Sequence, residues 1–418
     1  MHRLYTTKHN MKILLLCLAT LFFSLNSLAQ TSSPAWKQFL EEFQQLESQY
    51  NLHYPAKEYA QAGNVLNTII TKLDALPEKE KQATLPTVKI MYANLYYNLA
   101  CVQSLLNQKK KAIASFEKAI AWGYTEYQHV KNDTDLDNIR KEKKFMANFN
   151  QLKQYDKLAL LQQSGNYKPN EKSDFPVFHY QAVNHHNLKE VRQYFNLDSI
   201  AGKGDEVSQL INIMLFVTRS IKYDGTNWAL CEFDAIDFYN YHKATGKGIN
   251  CRHKAMTLNE MYLAMGFKSR YVTCMPKDDK DPDCHVINCV YAPTLKKWLW
   301  MDASHGIYVL DENNNILSIE EVRARLKSNQ PMQLNKEAGQ TKDWYLDYYM
   351  AKNLYWIQCT NQSRFNTESR YRPAHAALQY ISLVPAGFSG NKYLNNNIIT
   401  HDPAYFWQIP DEGKASEE

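Results

Sequence analysis

The apolar residues fall into two regimes that meet near residue 165. From residue 30 to 165 they recur at spacings of three and four, the repeat of helices with one buried face. One helix is predicted from about Ala56 to Leu76, stopped by Pro77. Two more are joined by a turn near Asn107-Gln108, with Tyr96, Leu99, Ala100, Ala112, Phe116 and Ala119 on their facing sides. The stretch 164–176, SGNYKPNEKSDFP, is polar with two prolines and reads as a linker. Beyond Val177 the pattern is mixed. Ala255, Leu258, Tyr262 and Met265 keep helical spacing, and Gly266 is a natural stop. HVINCVY from His285 and KWLWMD ending at Asp302 are β-rich runs with a turn at Ala292-Pro293-Thr294, which predicts an antiparallel hairpin. Asp311 to Asn315 predicts another hairpin turn, and Ser318 with Glu321 a capping box opening a helix through Leu326. Residues 341–418 are rich in Tyr and Trp, with helical spacing from Tyr345 to Ile357, a strand running into a turn at ALQYISLVPAGF, and a tail, GKASEE, expected to be disordered. The elements together predict an α+β domain preceded by an all-α one.

The first residues change the setting. From Met11 a lysine leads into an apolar core, Ile13 to Phe23, followed by Ser27-Leu28-Ala29. This is the layout of a secretory signal cut near Ala29, and it predicts a periplasmic or secreted protein with no stable membrane insertion after cleavage, since the apolar run is short for a spanning helix. The chain carries a net charge of +5, and without Arg3, Lys8 and Lys12 it is +2. A charge so near neutral argues against a nucleic-acid partner. Seven cysteines remain after Cys17, an odd number that predicts at least one free thiol in an exported chain.

The candidate chemistry lies between Gly246 and Ile307. Cys251 follows the turn Gly246-Lys247-Gly248-Ile249-Asn250 and opens the predicted helix. Free N–H groups and the helix dipole at that end favour a thiolate and offer donors to an oxyanion. His285 begins one strand of the hairpin and Asp302 ends the other, so pairing sets them side by side. A thiol, an imidazole and a carboxylate in that order can act as nucleophile, base and orienter. His253, two residues beyond Cys251, should point elsewhere, whereas His305 competes for the role of base on spacing alone. Cys274, Cys284, His285 and Cys289 lack zinc-site spacing, and neither Asp278–Asp283 nor Asp311–Asn315 fits the helix-loop-helix calcium pattern, so no metal and no cofactor is expected.

GINCR (248–252) before a helix, DCHV (283–286) on a strand and WMDAS (300–304) on the next resemble the transglutaminase-like superfamily, of the papain-like thiol fold class. INIMLFVTRSIKYDG (211–225) resembles the helix that precedes the nucleophile in that family. The resemblance implies a helix carrying Cys251 packed on an antiparallel sheet, with His285 and Asp302 completing a triad. It also implies an upstream polar or aromatic group near the oxyanion, for which Trp228 and Tyr239 are candidates beside Asn250. YYNLACVQSLLNQKKKAIASFEKAIAWGY resembles a tetratricopeptide repeat, which points to a protein partner or to simple packing. The expected organisation is a signal peptide (1–29), a helical repeat-like domain (30–165), a linker (166–176), a transglutaminase-like domain (177–340) and an aromatic-rich C-terminal extension (341–418). Two functions are compatible with this layout: a thiol enzyme that hydrolyses or transfers the amide bonds of a protein or peptide, and a non-catalytic protein- or glycan-binding scaffold with a vestigial triad.

Overall fold

The computed structural model describes residues 33–170, 175–369 and 378–410. The expected signal peptide and the GKASEE tail lie outside the described residues. The chain divides into two compact units between Asp156 and Lys157.

The first unit contains α1 (Pro34–His53), α2 (Tyr59–Asp74), α3 (Leu85–Leu105) and α4 (Lys109–Ala121), each packed on the next. Pro34 occupies the first helical position of α1 and Ser33 caps it, its hydroxyl accepting the Trp36 N–H. Ala100, Ala112, Phe116 and Ala119 are fully buried, the small ones allowing α3 and α4 to cross closely. A Cβ at Gly63 would sit 3.2 Å from Val102, so α2 and α3 also approach closely. The unit is thus two stacked helical hairpins. Only the second is distinct in the sequence, because the first has fewer small residues at its crossing. Asp133, in the segment that follows, accepts the Tyr97 hydroxyl at 2.5 Å and ties that segment to α3.

The second unit contains α5 (Lys157–Gln162), α6 (His186–Phe195), α7 (Glu206–Ser220), α8 (Ala235–Thr245), α9 (Cys251–Ala264) and α10 (Ile319–Ser328). Its sheet is built from β1 (Ser269–Met275), β2 (His285–Ala292), β3 (Lys297–Met301), β4 (Trp356–Thr360), β5 (Tyr380–Leu383) and β6 (Ile398–Thr400). The spatial order is β6-β5-β4-β1-β2-β3, antiparallel except for β5 and β6. β1 and β2 are buried at every residue, so both faces of the sheet are covered. On one face lies α9, itself enclosed by α6, α7 and α8. Twelve of its residues are buried, from His253 through Ala264, which is why its apolar positions do not mark a single stripe. It ends as predicted at Gly266, with φ +89°. Gly266 N–H reaches Leu263 C=O and Phe267 N–H reaches Tyr262 C=O, each at 2.9 Å, the reciprocal pair that closes a helix on a left-handed glycine.

Two expected boundaries move. Residues 164–168 are not a free linker. Lys327 Nζ donates to Ser164 C=O at 2.5 Å, Arg323 donates to the Ser164 hydroxyl at 3.1 Å, and Lys168 N–H reaches His401 C=O at 2.7 Å. A polar composition reads as a loose connection, yet these polar groups are satisfied by the second unit, and α5 packs there on α10. The stretch after residue 340 is not an extension either, since it supplies β4, β5 and β6, half of the sheet. Its helical spacing holds only to Asn353, first in a wide π-helix, Asp343–Met350, and then in a short α-turn, after which Trp356 and Ile357 enter β4. The capping box at Ser318 and Glu321 and the turn at Asp311–Asn315 are present. Among the described residues no helix is long and apolar enough to cross a membrane.

Candidate active site

Cys251 is the first residue of α9 and is partly exposed. Asn250 caps the helix, its side-chain oxygen accepting the His253 N–H at 3.0 Å. The N–H groups of the first turn that have no carbonyl within the helix therefore point out beside the thiol. The approach to Cys251 is fixed from the other side by a short parallel pairing in which Asp224 N–H reaches Ile249 C=O and Ile249 N–H reaches Lys222 C=O, both at 2.9 Å. That pairing needs a glycine at 248, where a Cβ would fall 2.8 Å from the Lys222 carbonyl oxygen and 2.9 Å from the Asp224 nitrogen. It sets Tyr223 beside the thiol.

The base of the helix is anchored in the core. Lys254 is buried, and its ammonium donates to the carbonyls of Val217 (3.0 Å), Thr218 (3.3 Å) and Ile221 (2.7 Å), which closes the C-terminus of α7. Burial pushes this lysine down to about 7, against the opposing pull of Asp302. Arg252 pairs with Glu368 at 2.8 Å and donates to Thr273 at 3.0 Å, so the second residue of the helix is fastened both to β1 and to the segment after β4.

His285 and Asp302 come together across the β2–β3 hairpin. Asn288 faces Met301 in the register, so Asp302 follows the last paired residue of β3 while His285 opens β2 on the same end of the hairpin. His285 Nε2 and Asp302 Oδ2 are 2.8 Å apart and both residues are completely buried. The other carboxylate oxygen accepts the Ser304 N–H at 2.7 Å and the His305 N–H at 3.3 Å. The Tyr345 hydroxyl donates to Oδ2 at 2.6 Å. His285 Nδ1 makes no hydrogen bond of ordinary geometry, and the thiol of Cys251 is the group that acts on the imidazole from outside this carboxylate. Burial alone would lower the imidazole pKa. The Asp302 carboxylate, with Cys251, overrides it and raises His285 to about 10. Burial likewise raises Asp302, and the neighbouring His285 and His305 with the hydrogen bonds from His285 and Tyr345 bring it well below the usual carboxylate range.

These directions give a stability profile. His285 contributes fully below its ordinary value near 6.5 and loses that contribution as pH rises toward about 10. Asp302 contributes above the ordinary carboxyl value and loses it as pH falls. The thermal midpoint is therefore expected to decline between about pH 6.5 and 10, and His285→Gln, which keeps a donor for Asp302 without the titration, should flatten that decline in calorimetric scans. An unchanged slope in the variant would refute the assignment of the charge to this pair.

The other sequence candidates distribute differently. His253 is enclosed by Trp228, Phe233 and Phe238, with ring centroids 4.7, 4.9 and 4.5 Å away. Trp228 is 50% exposed and forms the outer side of that box. Tyr239 packs on Tyr194 and Phe195, among the helices that enclose α9. Asn250 does reach the site, as the cap. His305, the rival base, packs 5.5 Å from His285, and burial, with Asp302 opposing, lowers it to about 4, so it is neutral at ordinary pH. The donor atoms of His285, Asp302 and His305 lie within 4.8 Å of one another and are the group here that could hold a metal ion, as are those of Cys101, Asp133 and Asp135 in the first unit. All seven described cysteines are free.

Spacing did not reveal Tyr223, Tyr345 or Tyr349. Tyr223 stacks edge-on against His305 at 5.3 Å, and Tyr349 lies 5.1 Å from the His285 ring and stacks on Trp344 at 5.2 Å. Burial, then the charges of Cys251 and Asp302, raise the Tyr223 hydroxyl. Tyr349 is raised by burial first and then by Asp283, the last acid of the 278–283 loop, so this loop reaches the mouth of the site. Lys352 pins it, pairing with Asp281 at 3.0 Å and Asp283 at 2.7 Å.

Residues 194–303, which include all three candidate triad positions, match the model of the transglutaminase-like superfamily. The second unit thus has a transglutaminase-like, papain-like fold around α9 and the β1–β3 strands. Over 60 residues the chain is 38% identical to a chloroplastic protein of Arabidopsis thaliana, which is 14% of this chain and 17% of that protein. A solved structure from Cytophaga hutchinsonii, provisionally assigned as a cysteine protease, is similar at 19% identity with a TM-score of 0.22, covering 34% of this chain and 46% of the other. The chain therefore spans less than half the length of either relative.

Proposed function

We propose that this transglutaminase-like unit is a thiol-dependent acyl-transfer enzyme acting on amide bonds of a protein or peptide. The observation that carries the proposal is the buried His285–Asp302 pair at 2.8 Å, whose imidazole has no ordinary hydrogen bond at Nδ1 and is raised in part by Cys251, the first residue of α9. In the proposed cycle His285, which Asp302 and Cys251 raise to about 10, already holds the proton as an imidazolium, and the Cys251 sulfur attacks the carbonyl carbon as the paired thiolate. The carbonyl oxygen takes up negative charge facing the N–H groups of the first turn of α9. The imidazolium gives the proton to the departing amine nitrogen, leaving a thioester on Cys251. Water, or a second amine, then attacks that thioester while His285 takes its proton, and the thiolate is restored as the acid, or a new amide, leaves. Asp302 stays ionised throughout and holds the imidazole in place. Hydrolysis is the preferred outcome because water is the abundant acceptor. Export through the 1–29 segment belongs to the same proposal, and the N-terminal sequence of the protein from its native host would check it.

The test is to trap the acyl-enzyme. The purified chain is incubated with an activated acyl ester and with a library of peptide amides, and its intact mass is followed. An acyl adduct on Cys251, missing in Cys251→Ala, with turnover of a peptide amide, is expected. If no adduct forms and Cys251→Ala binds the same peptides as the wild type, the reading as a catalyst fails and the second unit is a binding scaffold.

A further inference from the structure

Resting on that reading, we infer that Tyr345 is a positioning residue of the site: its hydroxyl, delivered by the π-helix Asp343–Met350, fixes the Asp302 carboxylate in the orientation that serves His285. Oδ2 of Asp302 accepts two donors, His285 Nε2 at 2.8 Å and the Tyr345 hydroxyl at 2.6 Å. Oδ1 accepts two backbone N–H groups. A buried carboxylate with four donors is held ionised and cannot rotate, so the direction it offers the imidazole is set by the donors it does not share with substrate. Three of the four come from the imidazole and from the loop next to Asp302 in sequence. Tyr345 alone comes from a distant segment, 43 residues on.

The local structure supports a dedicated role. Tyr345 is fully buried, with its ring edge-on to Trp300 and His305 at centroid distances of 6.2 and 5.7 Å. The π-helix widens the backbone ring and is a rare arrangement, mostly seen as short bulges that are frequent at functional sites. Here one such segment places Tyr345 on the carboxylate and Tyr349 against the His285 ring.

The experiment measures the rate of alkylation of Cys251 by iodoacetamide across pH in the full chain, by intact mass, so it needs no substrate. Tyr345→Phe keeps the ring and its packing and removes only the donor. The carboxylate is then free to turn and holds the His285 imidazolium less firmly, so the acid limb of the rate profile should move up by about one pH unit, the size of one lost hydrogen bond to a charged group. A residue that merely fills space would lower the thermal midpoint and leave the limb in place. In an Asp302→Asn background, where no carboxylate remains to hold, Tyr345→Phe should change the rate by less than about twofold if it acts through that side chain. His285→Ala in the same assay keeps the two claims apart. If it leaves alkylation unchanged, the catalytic reading itself fails. If it slows alkylation while Tyr345→Phe leaves the acid limb unmoved, or acts equally with and without the Asp302 carboxylate, the catalytic reading stands and the role of Tyr345 is overturned.

Discussion

His285→Ala is expected to lower kcat/KM for any amide or ester substrate by about 10²- to 10⁴-fold, the usual worth of a positioned acid–base group. In the proposed cycle the imidazole carries the proton, and the neighbouring histidines are poor substitutes: half-buried His305 is lowered to about 4, which makes it a weak proton acceptor, and His253 is walled off by three aromatic rings. The variant should still fold, because Asp302 keeps the Tyr345 hydroxyl and the Ser304 and His305 N–H groups. Alkylation of Cys251 at mildly acidic pH should fall with turnover. Steady-state kinetics and intact-mass labelling on one preparation check both. Undiminished turnover in this variant would require a different proton carrier and would sink the triad reading.

The second large effect is on stability. Glu368→Ala is expected to cost about 3–5 kcal/mol, the penalty for leaving a largely buried charge without its partner. Glu368 accepts Arg252 at 2.8 Å and the Tyr271 hydroxyl at 2.9 Å, and the Arg252 and Glu368 side chains are only 19% and 10% exposed. Its removal strands the guanidinium one residue from the nucleophile and loosens the first turn of α9. Denaturant unfolding with extrapolation to water measures the loss. Glu368→Gln, which can still accept both donors, should lose less. A cost below about 1 kcal/mol for the alanine variant would mean that water replaces the carboxylate, and that the pair does not anchor the helix.

The sequence carried the candidate site and little of what surrounds it. Cys251, His285 and Asp302 were legible because each sits at an element boundary with a local signature: a cap and a glycine-bearing turn, a strand start, a strand end. The hairpin then brings two of them together by register alone. Asn250 was a candidate for the oxyanion or the cleft, and the structure shows it as the cap of α9. Trp228 and Tyr239 were drawn from the resemblance, and spacings of 23 and 12 residues before the cysteine did not fix which way either ring faces. Tyr345, Tyr349 and Glu368 left no signal, since they meet the site through pairings between distant segments that no periodicity encodes. The two misplaced boundaries have one cause. Polar composition at 164–176 was read as a loose connection, and the aromatic stretch after 340 as an addition to a finished domain, whereas Ser164 and Lys168 satisfy their polar groups against the core and the strands after Tyr355 complete the sheet.

The position of β4, β5 and β6 bears on when the site comes into being. The three candidate triad residues, and the hairpin that carries two of them, are synthesised before the segment from 343 to 400. Until then β1, buried at every residue in the finished protein, is an open edge, Asp302 lacks the tyrosine donor, and Arg252 lacks the glutamate 116 residues away. The contacts around the candidate site are therefore completed late in translation. A nascent chain carries the Cys251 thiol before the groups that surround it, and the full set of contacts forms only once the last strands have docked.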